Sequence, residues 1–253
     1  MKNNAKVKTA VCGAYGRSGY EVVKLIENER ADAFELVAAV DKKDDAQFKS
    51  ISEYEGALDV LIDFSHHSAT NQITEYAVKN NVALVIATTA HTEEELATLK
   101  KASEKVPVFF AANLSMSLIA LTDAAKRFTK ILPNADIEII EKHHNKKPDA
   151  PSGTALMMAK EIKDVRKNAV FVFGRSGESI RNKEDIGIHS LRVGNVLSDH
   201  EILMVTDSEI ITLAHQTLDG KVFAEGALAA AAYAITQAPG FYGMKDMLFD
   251  LLK

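Results

Sequence analysis

The chain has 253 residues, of which 47% are hydrophobic and 26% charged, with a net charge of −5. That is enough apolar material for one large domain or two modest ones, and no basic block argues for nucleic acid. The longest apolar run, Ala227–Ile235, is too short and too alanine-rich to span a bilayer, so no membrane partner is expected. A single cysteine, Cys12, excludes an intramolecular disulfide and fits a reducing cytoplasm.

The opening MKNNAKVKTAVCG has no signal-peptide core and runs directly into a strand, Val7–Cys12. Gly13-x-x-Gly16-x-x-Gly19 follows and leads into a helix, Gly19–Asn28. Glycines let a backbone turn tightly and approach a pyrophosphate, and the helix start offers unpaired N–H groups. The spacing is GxxGxxG rather than GxGxxG, so the loop by itself also reads as a plain tight turn. Its context strengthens the nucleotide reading. The next strand, Glu35–Val40, is followed by Asp41, 22 positions after Gly19, where a carboxylate can accept from ribose hydroxyls. Lys42 and Lys43 follow; a lysine there can pair with a 2′-phosphate, or the pair is a solvated turn. Strands Val60–Phe64, Ala83–Ala87 and Val106–Phe110 then alternate with helices Ala69–Asn80, Glu93–Ser103 and Ser117–Leu132. This rhythm predicts βαβ units and a parallel sheet.

After Pro133 the rhythm changes. Ala135–Ile140 reads as a strand and Ala155–Ile162 as a helix, and between them stands EKHHNKKPDAPSGT, expected to form a loop. No cysteine and no H-x-x-x-H completes a metal site, so no metal is expected. Two lysines, a helix start with hydroxyls at Ser152 and Thr154, and flanking prolines that stiffen the loop point to a small anionic substrate. A histidine can deliver a proton near neutrality, and a lysine can neutralise charge or donate. Strand-like runs at Ala169–Phe173, Gly187–Val193, Glu201–Val205 and Glu209–His215 predict a mixed or antiparallel sheet. Helices at Phe223–Thr236 and Met244–Leu251 close the chain, and the pattern does not say which half they join.

EIIEKHHNKKPDAPSGTAL resembles the signature of the 4-hydroxy-tetrahydrodipicolinate reductase (dihydrodipicolinate reductase) family, of the form E-x-H-H-x-x-K-x-D-A-P-S-G-T-A. The resemblance continues through GAYGRSG, VLIDFSHH, VIATTAHTEE, FFAANLSMS, DIGIHSLRVGNV, FAEGA and GFYGMKDML. It implies an α/β Rossmann-type dinucleotide domain, residues 1–114 and 224–253, and a smaller α+β domain with an open mixed sheet, residues 115–223, that binds substrate and forms a homotetramer. The implied reaction is the reduction of 4-hydroxy-2,3,4,5-tetrahydrodipicolinate to tetrahydrodipicolinate with NADH or NADPH, on the diaminopimelate route to lysine.

Carried over by the resemblance, His143 matches the proton donor, Lys147 the catalytic lysine and His144 a substrate contact. Ser152, Gly153 and Thr154 match the grip on a substrate carboxylate. Gly13, Tyr15, Gly16, Arg17, Ser18 and Gly19 match the pyrophosphate loop, and Asp41, with Lys42 beside it, the ribose site. Ala87, Thr88 and Thr89, with Ala111, Ala112, Asn113 and Leu114, match the segments that line the nicotinamide. The chain departs from the family pattern at Ala87, Ser117, Val193 and Lys221. Other nicotinamide dehydrogenases, and a non-catalytic nucleotide sensor, are the competing readings. The first need not carry HHxxK before SGT, and the second predicts loss of His143 or Lys147.

Overall fold

The computed structural model describes residues 5–253; the first four residues of the expected lead-in to the first strand lie outside it. The chain divides into two compact units, Met1–Met116 with Gly220–Lys253, and Ser117–Asp219.

The first unit is built on β1 (Val7–Cys12), β2 (Phe34–Val40), β3 (Val60–Asp63), β4 (Ala83–Ile86), β5 (Pro107–Phe110) and β11 (Gly240–Tyr242). The order is β11-β5-β4-β3-β1-β2 and every pairing is parallel. Strands buried on both faces must be apolar throughout, and β3 and β4 are buried at every residue. Helices α2 (Thr70–Asn80) and α3 (Glu93–Ser103) cover one face through Ile73, Tyr76, Ala77, Leu99 and Ala102. Helices α1 (Arg17–Asn28) and α6 (Lys221–Ala234) pack on the sheet and on each other. A full capping box at Thr92 and Glu95 starts α3, so its acidic first turn also faces the positive end of the dipole. The chain leaves β1 toward β2, then crosses back to β3. That reversal opens a crevice at the carboxyl ends of β1 and β3, where α/β sheets bind ligands. The short strand β11 was not visible as a pattern; three residues carry no period. It pairs with β5 and ties the C-terminal segment, including α7 (Met244–Leu251), to this unit.

The second unit holds a five-stranded mixed sheet in the order β10-β9-β6-β8-β7. Its strands are β6 (Asp136–His143), β7 (Val170–Phe173), β8 (Asp185–Arg192), β9 (Ser198–Val205) and β10 (Ile210–Thr217). Strand β6 is parallel to β8 and antiparallel to β9. Helices α4 (Met116–Ile131) and α5 (Gly153–Val165) cover one face, closing a core of Ile137, Ile139, Ile186, Ile188, Ile202 and Met204. The expected end of β6 at Ile140 is corrected here. The ladder runs three residues further, pairing Lys142 with Asp199 and His143 with Arg192. His143 is therefore the last strand residue rather than part of the loop. The inward parity Ile137, Ile139, Glu141, His143 continues unbroken, but its last two members are polar and masked the strand.

Candidate active site

In the first unit the three glycines are held by contact rather than composition. Gly13 adopts φ +74°, and a Cβ on it would lie 2.6 Å from the carbonyl oxygen of Phe64 at the end of β3. A Cβ on Gly19 would lie 2.1 Å from the Gly13 carbonyl oxygen. The turn thus brings β1, β3 and α1 together at van der Waals limits. Gly16 caps α1 without a side-chain bond, leaving the first-turn N–H groups of Arg17, Ser18 and Gly19 open to an anion.

Asp41 accepts from the Tyr15 N–H at 3.0 Å and from the Lys43 N–H at 3.2 Å, so it clamps the glycine loop as well as facing the crevice. Lys43 Nζ donates to the Tyr15 carbonyl at 2.6 Å, and Lys49 Nζ donates to the Lys43 carbonyl. Lys42, Lys43 and Lys49 all stand at the cleft rim, the last two tied to these backbone carbonyls. These groups line an open cleft of about 290 Å³ with Gly13, Gly16, Ser65 and His66. A cradle that a Cβ would fill and an uncapped helix start fit a pyrophosphate, and the cleft beside them has room for one nucleoside of a dinucleotide.

Asp63, which motif reading missed, ends β3 with 1% exposure. It accepts from Ser65 N–H at 2.9 Å, Ser65 Oγ at 2.5 Å and Thr88 Oγ at 2.7 Å. Burial pushes its carboxyl up, and the hydrogen bonds from Ser65 and Thr88 oppose that rise. Thr88 is consequently a buried tie, whereas Thr89 and Ala112 are exposed. Ala87 donates its N–H to the Asp63 carbonyl and Ala111 to that of Ile86, at 2.9 and 3.0 Å. Asn113 turns its side-chain oxygen to Ser115 N–H at 2.9 Å. Leu114 lies under α6, where a Cβ on Gly226 would come within 1.9 Å of its carbonyl oxygen. Lys221 pairs with Glu29 at 2.7 Å at the start of that helix.

In the second unit the covered sheet face is apolar at one end and polar at the other. A cross-strand row there runs Ser190, Glu141, His200, His215 over β8, β6, β9 and β10. Glu141 has no exposed surface. Its oxygens accept from His143 Nδ1 at 2.6 Å, both Arg192 Nη groups at 2.8 Å, and Ser152 N–H at 3.1 Å. Burial alone would raise its carboxyl, but the bonds from Arg192, His143, Ser190 and Ser152 outweigh that and hold it at about 2. Ser152 caps α5, its Oγ accepting from Ala155 N–H at 3.2 Å and lying 3.1 Å from His200 Nε2. Burial and the neighbouring His143 hold His200 down at about 4. Around Gly153 the space is open: a Cβ there would meet nothing within 4 Å. Thr154 follows, half-buried.

Lys147 pairs with Asp149 at 2.8 Å and keeps 22% of its side chain exposed. His144 is half-buried, its carbonyl accepting from Lys147 N–H at 3.1 Å. The Ala150–Pro151 peptide is cis. Ser117 Oγ lies 3.0 Å from His215 Nε2, and Val193 donates its N–H to the His143 carbonyl at 2.8 Å. Sequence reasoning missed Glu141, Arg192 and His200 as site residues. Glu141 was findable from strand parity; Arg192 and His200 needed the register of β8 and β9.

A glycine cradle at the switch point of a parallel sheet defines the first unit as a Rossmann-type fold, and the second unit carries an acid-backed imidazole beside a helix start. The family models described as dihydrodipicolinate reductase, N-terminus and C-terminus, match residues 7–114 and 117–248, and the chain belongs to that family. It is 39% identical over 248 residues to the 4-hydroxy-tetrahydrodipicolinate reductase of Caldanaerobacter subterraneus, covering 96% of this chain and 98% of that one. It is 38% identical over 248 residues to the enzyme of the same name from Clostridium novyi, covering 95% and 98%. Among solved structures, a dipicolinate-bound dihydrodipicolinate reductase from Paenisporosarcina sp. TG-14 superposes with a TM-score of 0.78 at 26% identity, covering 96% and 100%. A DAP dehydrogenase from C. glutamicum shares the fold alone, with a TM-score of 0.57 at 13% identity over 100% and 99% of the two chains. The family's enzymes are NAD(P)H-dependent reductases of the diaminopimelate route to lysine. No helix among the described residues is long and apolar enough to cross a membrane.

Proposed function

We propose that this chain reduces 4-hydroxy-2,3,4,5-tetrahydrodipicolinate to tetrahydrodipicolinate, using either NADH or NADPH, with His143 as proton donor. The overall change adds one hydride and one proton and loses water. The observation that carries the reading is the Glu141 carboxylate, which binds the His143 imidazole at 2.6 Å and the Ser152 N–H at 3.1 Å. One buried group thereby sets a proton donor beside a helix start suited to a carboxylate.

The first unit is read as the cofactor domain and the second as the substrate domain. The loop from Gly13 to Gly19 would hold the pyrophosphate on the α1 N-terminus, and Asp41 the adenosine ribose. The segments Ala87–Thr89 and Ala111–Leu114 would flank the nicotinamide, with Thr88 serving as their anchor to Asp63. Reduced nicotinamide, when bound, supplies the hydride. Ser152, Gly153 and Thr154 would grip one substrate carboxylate. Lys147 would exchange Asp149 for substrate charge, and His144 would line the same pocket. Because Glu141 is ionised, His143 Nδ1 keeps its hydrogen and Nε2 is the nitrogen that gives up a proton.

Both cofactors are expected to work, NADH at least as well, within roughly a factor of ten. Asp41 favours a free 2′-hydroxyl, while Lys42 and Lys43 at the cleft rim favour a 2′-phosphate. Cytoplasmic action fits a chain whose one cysteine, Cys12, is a buried free thiol. A homotetramer is proposed through the uncovered sheet face, where Ile140, Leu203, Ile210 and Ala214 share the outward parity. The test is an assay coupled to dihydrodipicolinate synthase, following loss of reduced nicotinamide absorbance with each cofactor. Turnover that depends on the synthase product supports the reading. No turnover with either cofactor refutes it, and complete failure with one alone refutes the dual preference.

A further inference from the structure

Glu141 answers to more than one partner, and the partners belong to different elements. Oε2 accepts from His143 Nδ1 on β6 and Arg192 Nη1 on β8; Oε1 accepts from Arg192 Nη2 and from Ser152 N–H at the start of α5. Ser190 on β8 donates to the same carboxylate, so its oxygens are held from three elements. Arg192 is itself fixed, donating also to the carbonyls of Leu191 at 2.8 Å and Asp149 at 2.5 Å. We propose that the Glu141–Arg192 pair is a positioning device that sets the tautomer and the proton affinity of His143 and registers that ring against the Ser152 helix start. The proposal rests on the reading of His143 as proton donor.

The physical reasoning has two parts. Geometry comes first. The bidentate fork locks the carboxylate plane, and the plane fixes where Nδ1–H must point. With Nδ1 committed, the ring has one orientation, and Nε2 is its only exchangeable nitrogen. Ser152 hangs on the same oxygen pair, so the donor and the carboxylate grip keep a fixed spacing.

Charge is the second part. A lone carboxylate touching His143 would hold the imidazolium tightly and make a poor donor. The guanidinium offsets that pull, leaving a ring that is oriented by an acid but not captured by it. The other groups around His143 do not supply this balance. On β9, His200 has its ring centroid 5.3 Å away, and burial keeps it neutral near pH 7. On β10, His215 lies beyond His200 in the same row and is also held down by burial. In the loop before α5, Lys147 and Asp149 pair with each other. On its own strand, Lys142 has the opposite parity and faces away, and His144 follows it. The starts of α4 and α5 bring hydroxyls, Ser117 and Ser152, to this end of the sheet.

Two substitutions separate this from a structural role. Glu141→Gln removes the negative charge, and Arg192→Gln removes the positive one. Removing the negative neighbour should lower the His143 proton affinity, and removing the positive one should raise it. Two-bond 1H–15N correlations of the histidine-labelled protein, without substrate, read both that titration and the tautomer. In wild type, Nδ1 should keep its hydrogen throughout, and the proton that titrates should be the one on Nε2. The kinetic counterpart is the alkaline limb of kcat/KM, since a donor fails above its pKa. The limb should move to lower pH in Glu141→Gln and to higher pH in Arg192→Gln. Arg192→Lys keeps the charge and loses the fork, so the limb should stay while kcat falls. Glu141→Asp, which keeps the charge and shortens its reach, serves in the same way if Glu141→Gln does not fold. Shifts in the same direction, or activity losses with an unmoved titration in both Gln variants, overturn the proposal. His143→Gln tells its failure from that of the underlying reading. A limb that survives in that variant means His143 is not the donor, and the NMR titration still decides the electrostatics.

Discussion

A fully buried carboxylate is tolerable only when its lone pairs are answered, and Glu141 and its neighbour His200 carry this condition into the pH dependence of stability. Glu141 is held at about 2 against an ordinary 4.5, so the stability it contributes is complete above about 4.5 and is lost as pH falls through about 2. His200 is held at about 4 against 6.5; its contribution is complete above about 6.5 and is lost as pH falls through about 4. The two windows barely overlap, so the first loss on acidification should come from the histidine. Urea melts between pH 7 and pH 4 should show stability falling by up to about 3 kcal/mol from this group. His200→Gln should flatten that stretch; an unchanged slope would assign it elsewhere. Removing one partner of the buried pair is a harsher change. Glu141→Ala strands the Arg192 guanidinium and should cost about 3–5 kcal/mol in unfolding free energy at neutral pH, whereas replacing Lys147 by Ala, in a pair whose Asp149 is exposed, should cost under about 1 kcal/mol.

At the scale of elements, close approach replaces side chains as the means of fixing position. Helix α6 is alanine-rich, and its Gly226 rides on the Leu114 carbonyl. Gly226→Ala should push the helix off the segment Ala111–Leu114. The expected cost is about 1–3 kcal/mol in denaturant unfolding, with weaker binding of reduced nicotinamide by fluorescence titration. Full retention of both would mean the contact relaxes freely. How much of these elements was legible follows from their chemistry. Strand β1 and helix α3 were read with their ends intact, because an apolar run marks the first and a helical pattern between two strands the second. Strand β6 was cut short because Glu141 and His143 occupy core parity, and a polar residue in a core position looks like a strand end. Thr88 was legible as part of a segment but not as a buried anchor, since its partner Asp63 lies 25 positions away in sequence. Likewise Arg192 and His200 enter the site only through sheet register, which single-strand periodicity does not encode.

For the whole molecule, the family was written in one long motif, whereas assembly and cofactor choice rest on surfaces. The outward face of the second sheet shows Ile210 at 69% exposure and Leu191 at 43%. A tetramer that covers this face should appear in light scattering at micromolar concentration, and Ile210→Lys with Leu203→Lys should shift it toward smaller species. A wild-type monomer would contradict the proposal. Cofactor choice should respond to Asp41→Ala with a larger loss for NADH than for NADPH. Because Asp41 also holds the Tyr15 N–H, some loss is expected for both. Equal losses would mean that the carboxylate acts on the loop and not on the ribose.

The central claim, that His143 backed by Glu141 delivers the proton, is tested most directly by steady-state kinetics of single variants at saturating NADH. His143→Gln should lower kcat by on the order of 10²–10⁴, the usual worth of a positioned acid. Ser152→Ala and Thr154→Val should act mainly on KM, since a carboxylate grip serves ground and transition states alike. A His143→Gln enzyme that keeps near-native kcat while only KM rises would contradict the account and leave the cluster as a dicarboxylate clamp.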